Sequence, residues 1–225
     1  MGLCIFLRDY LLPLILNVSY SEKVHKCVTM EGAMKEYILL LPIIFIIHDM
    51  EEVVGFGRFF RENPSLFEKY PNVTKAYRDF ITEGFAAAVY EEFIPFFGVS
   101  LTAYFFPCGI IYSLWFGLFL SLTAHFFIHI GQTIYLKKYI PSFATSVIGL
   151  PVSILILIKC TAYISFDLVS ILIMAAGIIF MIVNLKIAHI LMHRVNLGIR
   201  PFVKNNGKLY QGVTDKWEEL DHKRA

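Results

Sequence analysis

The sequence carries little charge for its length. Charged residues make up 17% of its 225 positions, against about 25% in an average soluble domain. The 20 basic and 18 acidic side chains nearly balance, so the excess of positive charge typical of nucleic-acid-binding proteins is absent. The composition therefore excludes an ordinary soluble domain and predicts no nucleic-acid partner.

Cysteine is also scarce. The four cysteines form no CxxC pair and lie far apart: Cys4, Cys27, Cys108 and Cys160. Zinc ribbons and disulfide-rich secreted scaffolds need closely spaced cysteines, so both classes are excluded. The N-terminus does not resemble a secretory signal peptide, because no small-residue cleavage site follows the short apolar run 11–18.

Long hydrophobic blocks are what the chain has in abundance, since 57% of its residues are hydrophobic. Five blocks are long enough to cross a bilayer as helices, which takes roughly 20 residues. They cover residues 37–60, 80–106, 109–135, 145–165 and 168–189. The apolar–polar alternation of a membrane barrel is absent, so helices must satisfy the backbone. We predict an all-α polytopic membrane protein with about five transmembrane helices.

This pattern also predicts the organisation of the chain. Residues 1–35 form an N-terminal leader, 36–190 the five-helix transmembrane domain, and 191–225 a polar tail. Met30 and Met34 stand directly before the first strong hydrophobic block. We therefore expect residues 1–29 to be an over-called start and dispensable.

Basic residues predict the orientation in the membrane. They concentrate in the loop 58–79, at Lys137 and Lys138, and in the tail 191–225. With five spans these regions fall on one side, which the positive-inside rule makes cytoplasmic. The C-terminus is then cytoplasmic and the hairpin at Pro107 lies on the other side.

Ionisable side chains occur inside three of the predicted spans, where each costs about 2.5–3.5 kcal/mol on insertion scales and marks a candidate functional site. The clusters are His48-Asp49-Met50-Glu51-Glu52, Glu91-Glu92, and His125 with His129. Counted from the basic residues that end the spans, all three lie about 12–20 Å inward. Three separate helices therefore place His and Glu side chains at one level.

The spacing within these clusters is typical of metal ligands. His48 and Glu52 are four residues apart, as are His125 and His129, so each pair shares one helix face. The HExxH and HxxEH zinc helices use the same spacing. We predict that these four residues bind a divalent metal ion, with zinc favoured over a di-iron centre.

The remaining carboxylates are candidates for the chemistry. Glu51 is predicted as the general base, and Glu91 or Glu92 as a further ligand or an acid. The function favoured by this set is a metal-dependent membrane hydrolase, whose partners would be the lipid bilayer and a lipid-like or membrane-associated substrate. Two alternatives stay open: a small transporter or ion- or proton-binding protein that uses the same cluster, and a structural membrane subunit.

Two other groups of residues have a simpler interpretation. The aromatic residues near the Pro107 hairpin, Phe96 to Phe116, are expected to form an interfacial belt with lipid contacts. His189 and His193 lie near the cytoplasmic end of the last span, where interfacial anchoring is the expected role.

The motif His48-Asp49-Met50-Glu51-Glu52 resembles the defining motif of the HXXEE-domain family of small prokaryotic membrane proteins. The resemblance covers about residues 36–160 and extends to Glu91-Glu92, His125-x-x-x-His129-x-x-Gln132, Tyr139-Ile-Pro141-Ser-Phe-Ala-Thr145 and Pro151. Where the family often has Pro-Gly, this chain has Pro141-Ser142. The resemblance implies a prokaryotic plasma-membrane protein with enzyme-like charged residues and no assigned reaction.

The membrane-embedded CAAX-protease-like group also joins a Glu pair to two intramembrane histidines. Its first motif is EExxxR, but the Arg position is Phe56 after the first acidic pair and Phe96 after the second. Neither pair matches, so the HXXEE family is the better resemblance.

Overall fold

The computed structural model of the chain describes residues 33–74, 77 and 80–222, and it describes their side chains except at 72, 73, 200 and 202–222. Most of the predicted leader, residues 1–32, lies outside the described residues. Throughout the described ranges the regular structure is helical and no strand occurs. The predicted all-α class is confirmed.

Residues 33–38 are helical and lead into the first complete helix. The helices that follow are α1 (Leu40–Glu62), α2 (Ser65–Lys69), α3 (Pro71–Thr74), α4 (Thr82–Phe105), α5 (Gly109–Leu136), α6 (Phe143–Cys160) and α7 (Leu168–His222), with a 3-10 turn at Thr161–Tyr163 after α6. The hairpin at Pro107 thus connects α4 to α5 through a short turn, as predicted.

Four helices in the described part of the chain are long and apolar enough to cross a membrane, against five predicted. They are Thr82–Phe105, Gly109–Leu136, Phe143–Tyr163 and Leu168–Ile199. Helix α1 has 23 residues and is long enough to cross a bilayer. Asp49, Glu51 and Glu52 in its middle make its composition too polar to count as a membrane span. The chain is therefore a polytopic helical membrane protein whose first long helix carries the acidic residues.

Helix α7 is longer than the predicted span. It has 55 residues and continues through Pro201 to His222, across the segment expected to be a tail. The side of the membrane on which that segment lies stays a prediction. Proline removes one backbone hydrogen bond from a helix but does not end this one.

The long helices form a closed ring of contacts. Helix α7 lies against α4 and α5, α5 also against α6, and α1 against α4 and α6. Gly117 makes the α5–α7 contact close, because a Cβ there would collide with the backbone carbonyl of Met174. Small residues permit such close approach between membrane helices.

Part of the expected aromatic belt belongs instead to the core. Trp115, Phe96 and Phe116 are buried, whereas Phe105 and Phe106 are exposed as expected. The indole Nε1 of Trp115 donates a 3.0 Å hydrogen bond to the carbonyl oxygen of Ile38. The belt interpretation is wrong for these three buried residues because their rings pack inward. The ring of Trp115 also ties α5 to the residues that precede α1.

The connection between α5 and α6 is pressed against α1. A Cβ on Gly55 would lie 2.5 Å from the Cβ of Pro141, so only glycine permits this approach. In the same connection Ser142 has φ 98°, in the left-handed region that favours glycine. This contact brings Tyr139 and Thr145 alongside the acidic residues of α1.

Candidate metal centre

Four side chains from α1 and α5 converge inside the helix bundle. His48, Glu52, His125 and His129 each offer one ligand atom, and these atoms all lie within 4.8 Å of one another. His48 is 1% exposed and Glu52 5% exposed. The helical spacing of four residues places each pair on one face, and the packing turns the two faces together. The group can hold a metal ion.

The distances within this group are close to those of a coordination shell. The Nε2 atoms of His125 and His129 are 2.7 Å apart, and Nε2 of His129 lies 2.9 Å from Oε1 of Glu52. Nε2 of His48 lies 3.9 Å from the same oxygen. Ligand atoms in a tetrahedral zinc site with 2.0–2.1 Å bonds are about 3.3 Å apart. Shifts of under about 1 Å would bring these atoms to that separation.

The imidazole of His48 has one nitrogen engaged and one without a partner. Its Nδ1 lies 2.9 Å from Oγ1 of Thr145, while its Nε2 is buried with no hydrogen-bond partner. An unpaired buried polar atom is costly unless it binds something. The unpartnered nitrogen is the one that lies nearest to Glu52.

Glu51 is not part of this group and contacts the start of α6 instead. Its Oε2 accepts hydrogen bonds from the backbone N–H of Thr145 at 2.9 Å and from the Thr145 hydroxyl at 2.7 Å. Its Oε1 accepts a hydrogen bond from the hydroxyl of Tyr139. Glu51 therefore caps the positive end of α6 from a neighbouring helix.

The Thr145 hydroxyl connects Glu51 to His48. Its proton goes to Glu51, because the carboxylate is charged and closer, at 2.7 Å, than the Ser142 carbonyl oxygen at 3.2 Å. The hydroxyl oxygen then accepts from Nδ1–H of His48. This sets the tautomer of His48 and leaves the Nε2 lone pair available for a metal ion.

Tyr139 completes this contact from the loop before α6. The hydrogen bond to Glu51 raises the pKa of the Tyr139 phenol, with smaller contributions from burial and from the Glu51 charge. Tyr139 therefore remains a protonated donor at neutral pH.

A cavity of about 50 Å³ adjoins the four-residue group. Its polar wall comes from α1, α4, α5, α7 and the loop before α4: Asp49, Glu52, Tyr77, Glu92, His125, His129 and His189. A water molecule needs about 10–15 Å³ of such volume. The cavity thus has room for an ion with a few waters.

The two adjacent carboxylates of α4 have different surroundings. Glu92 lines the cavity. Glu91 instead accepts a 3.2 Å hydrogen bond from the amide of Asn184 on α7. The structure therefore brings Glu92, and not Glu91, to the cavity beside the histidines.

Four residues at the site were not predicted to be site residues, namely Asp49, Tyr77, Thr145 and His189. The hydroxyl of Tyr77 lies 3.4 Å from Nε2 of His189. Burial, followed by the carboxylates of Glu52, Glu92 and Asp49, raises the pKa of Tyr77, so it stays a phenol. His189 was expected to be an interfacial anchor, but it forms part of the cavity wall. No pattern in the sequence separates His189 from His193, which does not line the cavity.

Comparison with known proteins identifies the family of the chain. No curated protein and no solved structure matches the chain. A family model described as "Protein of unknown function with HXXEE motif" matches residues 39–156, which is more than half of the chain and contains the motif at His48–Glu52. The chain therefore belongs to the HXXEE family.

Proposed function

We propose that this protein is a metal-dependent enzyme of the membrane, of the hydrolase type, and that zinc is its metal. The observation that supports this most is the convergence of three imidazoles and one carboxylate within 4.8 Å in the interior of the bundle. Three nitrogen donors with one oxygen donor suit zinc, and a bound zinc ion would supply Lewis acidity and an activated water.

Each residue of the site has a proposed part. His48, Glu52, His125 and His129 bind the metal. Glu92 lines the cavity beside them and can take up or donate a proton there.

Glu51 was predicted to be the general base, but its surroundings favour another part. Both of its oxygens already accept hydrogen bonds, from Tyr139 and Thr145. We therefore assign Glu51 the positioning of His48 through Thr145, and Glu92 the part of a further ligand or of the group that transfers a proton.

The location of the site supports a substrate that arrives from the membrane. The cavity is lined by helices that also present aliphatic side chains outward, including Ile94 of α4, Ile134 of α5 and Leu172 of α7. A lipid-like or membrane-associated molecule can approach such a site along the helix surfaces. We propose a prokaryotic plasma membrane, as the resemblance to the family implies, and a cytoplasmic C-terminus, as the distribution of basic residues indicates.

Metal analysis of the detergent-purified protein tests the proposal. Wild-type protein should retain at least one equivalent of zinc after dialysis, and the His48→Ala, His129→Ala double variant should lose it. His193→Ala is the matched control, since this histidine is not among the four. A wild-type protein without metal, or a double variant with undiminished metal, would contradict the proposal.

Activity needs a separate measurement. Membrane lipids incubated with wild-type protein should show a hydrolysed species by mass spectrometry, and the double variant should not produce it. If metal binds, no lipid is hydrolysed, and proteoliposomes loaded with a cation show cation flux, the transporter alternative replaces the enzyme.

A further inference from the structure

We infer a second metal site on the cavity side of the first, formed by Asp49 and Glu92 with Glu52 shared between the two ions. With both sites filled, the centre would hold two metal ions. This inference rests on the proposed function, because it assumes that the four-residue group binds a metal ion.

Asp49 is the side chain that points to a ligand. It is 4% exposed, its Oδ1 is buried with no hydrogen-bond partner, and it lines the cavity. A carboxylate oxygen in such a place gives up hydration without compensation. Proteins pair buried charges or use them to coordinate metals.

The geometry of α1 places Asp49 beside Glu52. The two are three residues apart and therefore neighbours on one helix surface, and both reach the cavity. Glu92 reaches the same cavity from α4, and Asp49 lies within electrostatic range of both glutamates. Glu52 contacts His129 at 2.9 Å and lines the same cavity as the other two acids. A carboxylate in that position can bridge two ions about 3.5–4 Å apart.

When all three carboxylates are ionised, the charge of the cavity favours two divalent ions over one. Asp49, Glu52 and Glu92 contribute three carboxylates, and no Lys or Arg is among the described residues that line the cavity. One divalent ion leaves a net charge of about −1 in a buried space, whereas two leave about +1, which a hydroxide or an anionic substrate neutralises. Helical bundles with two metal ions use carboxylates from facing helices in this way.

The donors identify the class of ion. Asp49, Glu52 and Glu92 offer only oxygen, and the cavity of about 50 Å³ leaves room for waters to complete the shell. Oxygen donors with water suit hard divalent cations such as Mg²⁺ and Mn²⁺. The histidine-rich first site would bind the softer ion.

Manganese binding tests the second site. Purified protein is stripped with a chelator, reloaded with Mn²⁺ alone, and analysed for bound manganese per chain and by electron paramagnetic resonance. Wild-type protein should bind two equivalents and give the broad spectrum of two coupled ions. Asp49→Asn and Glu92→Gln should each bind one equivalent and give the six-line spectrum of an isolated ion.

Glu91→Gln is the matched control, because Glu91 is the neighbouring glutamate on α4 but hydrogen-bonds Asn184 outside the cavity. It should keep two equivalents. Size-exclusion chromatography establishes that each variant is folded. If Asp49→Asn does not fold, the metal content of Glu92→Gln alone decides the outcome.

The outcomes separate this inference from the proposed function. One equivalent in wild type, unchanged in Asp49→Asn and Glu92→Gln, overturns the second site and leaves the first intact. An equal loss in Glu91→Gln overturns it as well. No bound metal in the wild type overturns the proposed function itself.

Discussion

Replacing Thr145 by valine removes the hydroxyl that lies between Glu51 and His48 while keeping the volume of the side chain. The change deletes the 2.7 Å bond to Glu51 and the 2.9 Å contact with Nδ1 of His48. The backbone N–H of Thr145 still donates to Glu51 at 2.9 Å, so the start of α6 stays capped. The perturbation is therefore directed at the orientation of His48.

The size of the effect follows from the role of that hydroxyl. Partners that orient a metal-binding histidine are worth 10–100-fold in metal affinity, which is about 1.4–2.7 kcal/mol. We expect Thr145→Val to weaken zinc binding by this factor. The free energy of unfolding should change less, by about 1 kcal/mol, because one hydrogen bond to a partly exposed carboxylate is lost.

Competition with a chromophoric zinc chelator in detergent measures the affinity. Thr145→Ser keeps the hydroxyl and should remain within a few-fold of wild type. Thr102→Val is a second control, since the hydroxyl of Thr102 bonds only the carbonyl of Gly98 on the exposed side of α4. A Thr145→Val protein with the affinity of wild type, or a Thr145→Ser protein as weak as Thr145→Val, would refute the reasoning.

Three further predictions concern the fold and its orientation. Ser142→Gly should raise the free energy of unfolding by about 0.5–1 kcal/mol in thermal denaturation, because relief of the left-handed backbone at φ 98° outweighs the greater unfolded-state freedom of glycine; an unchanged or lower midpoint would argue against strain there. A cysteine placed at Lys208 should not react with an impermeant reagent in intact cells, and labelling would reverse the predicted orientation. Since the pKa of Tyr77 is raised above its ordinary value of 10.0, stability should be full below about pH 10 and fall as pH rises further, and Tyr77→Phe should flatten that fall in unfolding measurements; a profile identical to wild type would show that Tyr77 does not titrate on unfolding.

The sequence was sufficient for the class of fold and for the grouping of polar residues. Apolar blocks of bilayer length leave only helices, because the backbone must hydrogen-bond to itself in hydrocarbon. The four-residue spacing of His48 with Glu52, and of His125 with His129, defines two polar helix faces. Their distances from the basic residues that end the spans place both faces at one depth. Because polar side chains are costly to leave facing lipid, we predicted that the two faces contact each other. The structure places their ligand atoms within 4.8 Å of one another.

The local surroundings of each carboxylate could be known only from the tertiary structure. Glu51 and Glu52 are adjacent in the chain, yet about 100° apart around α1, so packing sends Glu51 to the start of α6 and Glu52 to the histidines. That division depends on the loop before α6, where the approach of Pro141 to Gly55 brings Thr145 within reach. The contributions of His189 and Tyr77 depend likewise on where α7 and a loop lie against α4. Helical periodicity fixes which residues share a face, but only the packing of distant segments decides what each face meets.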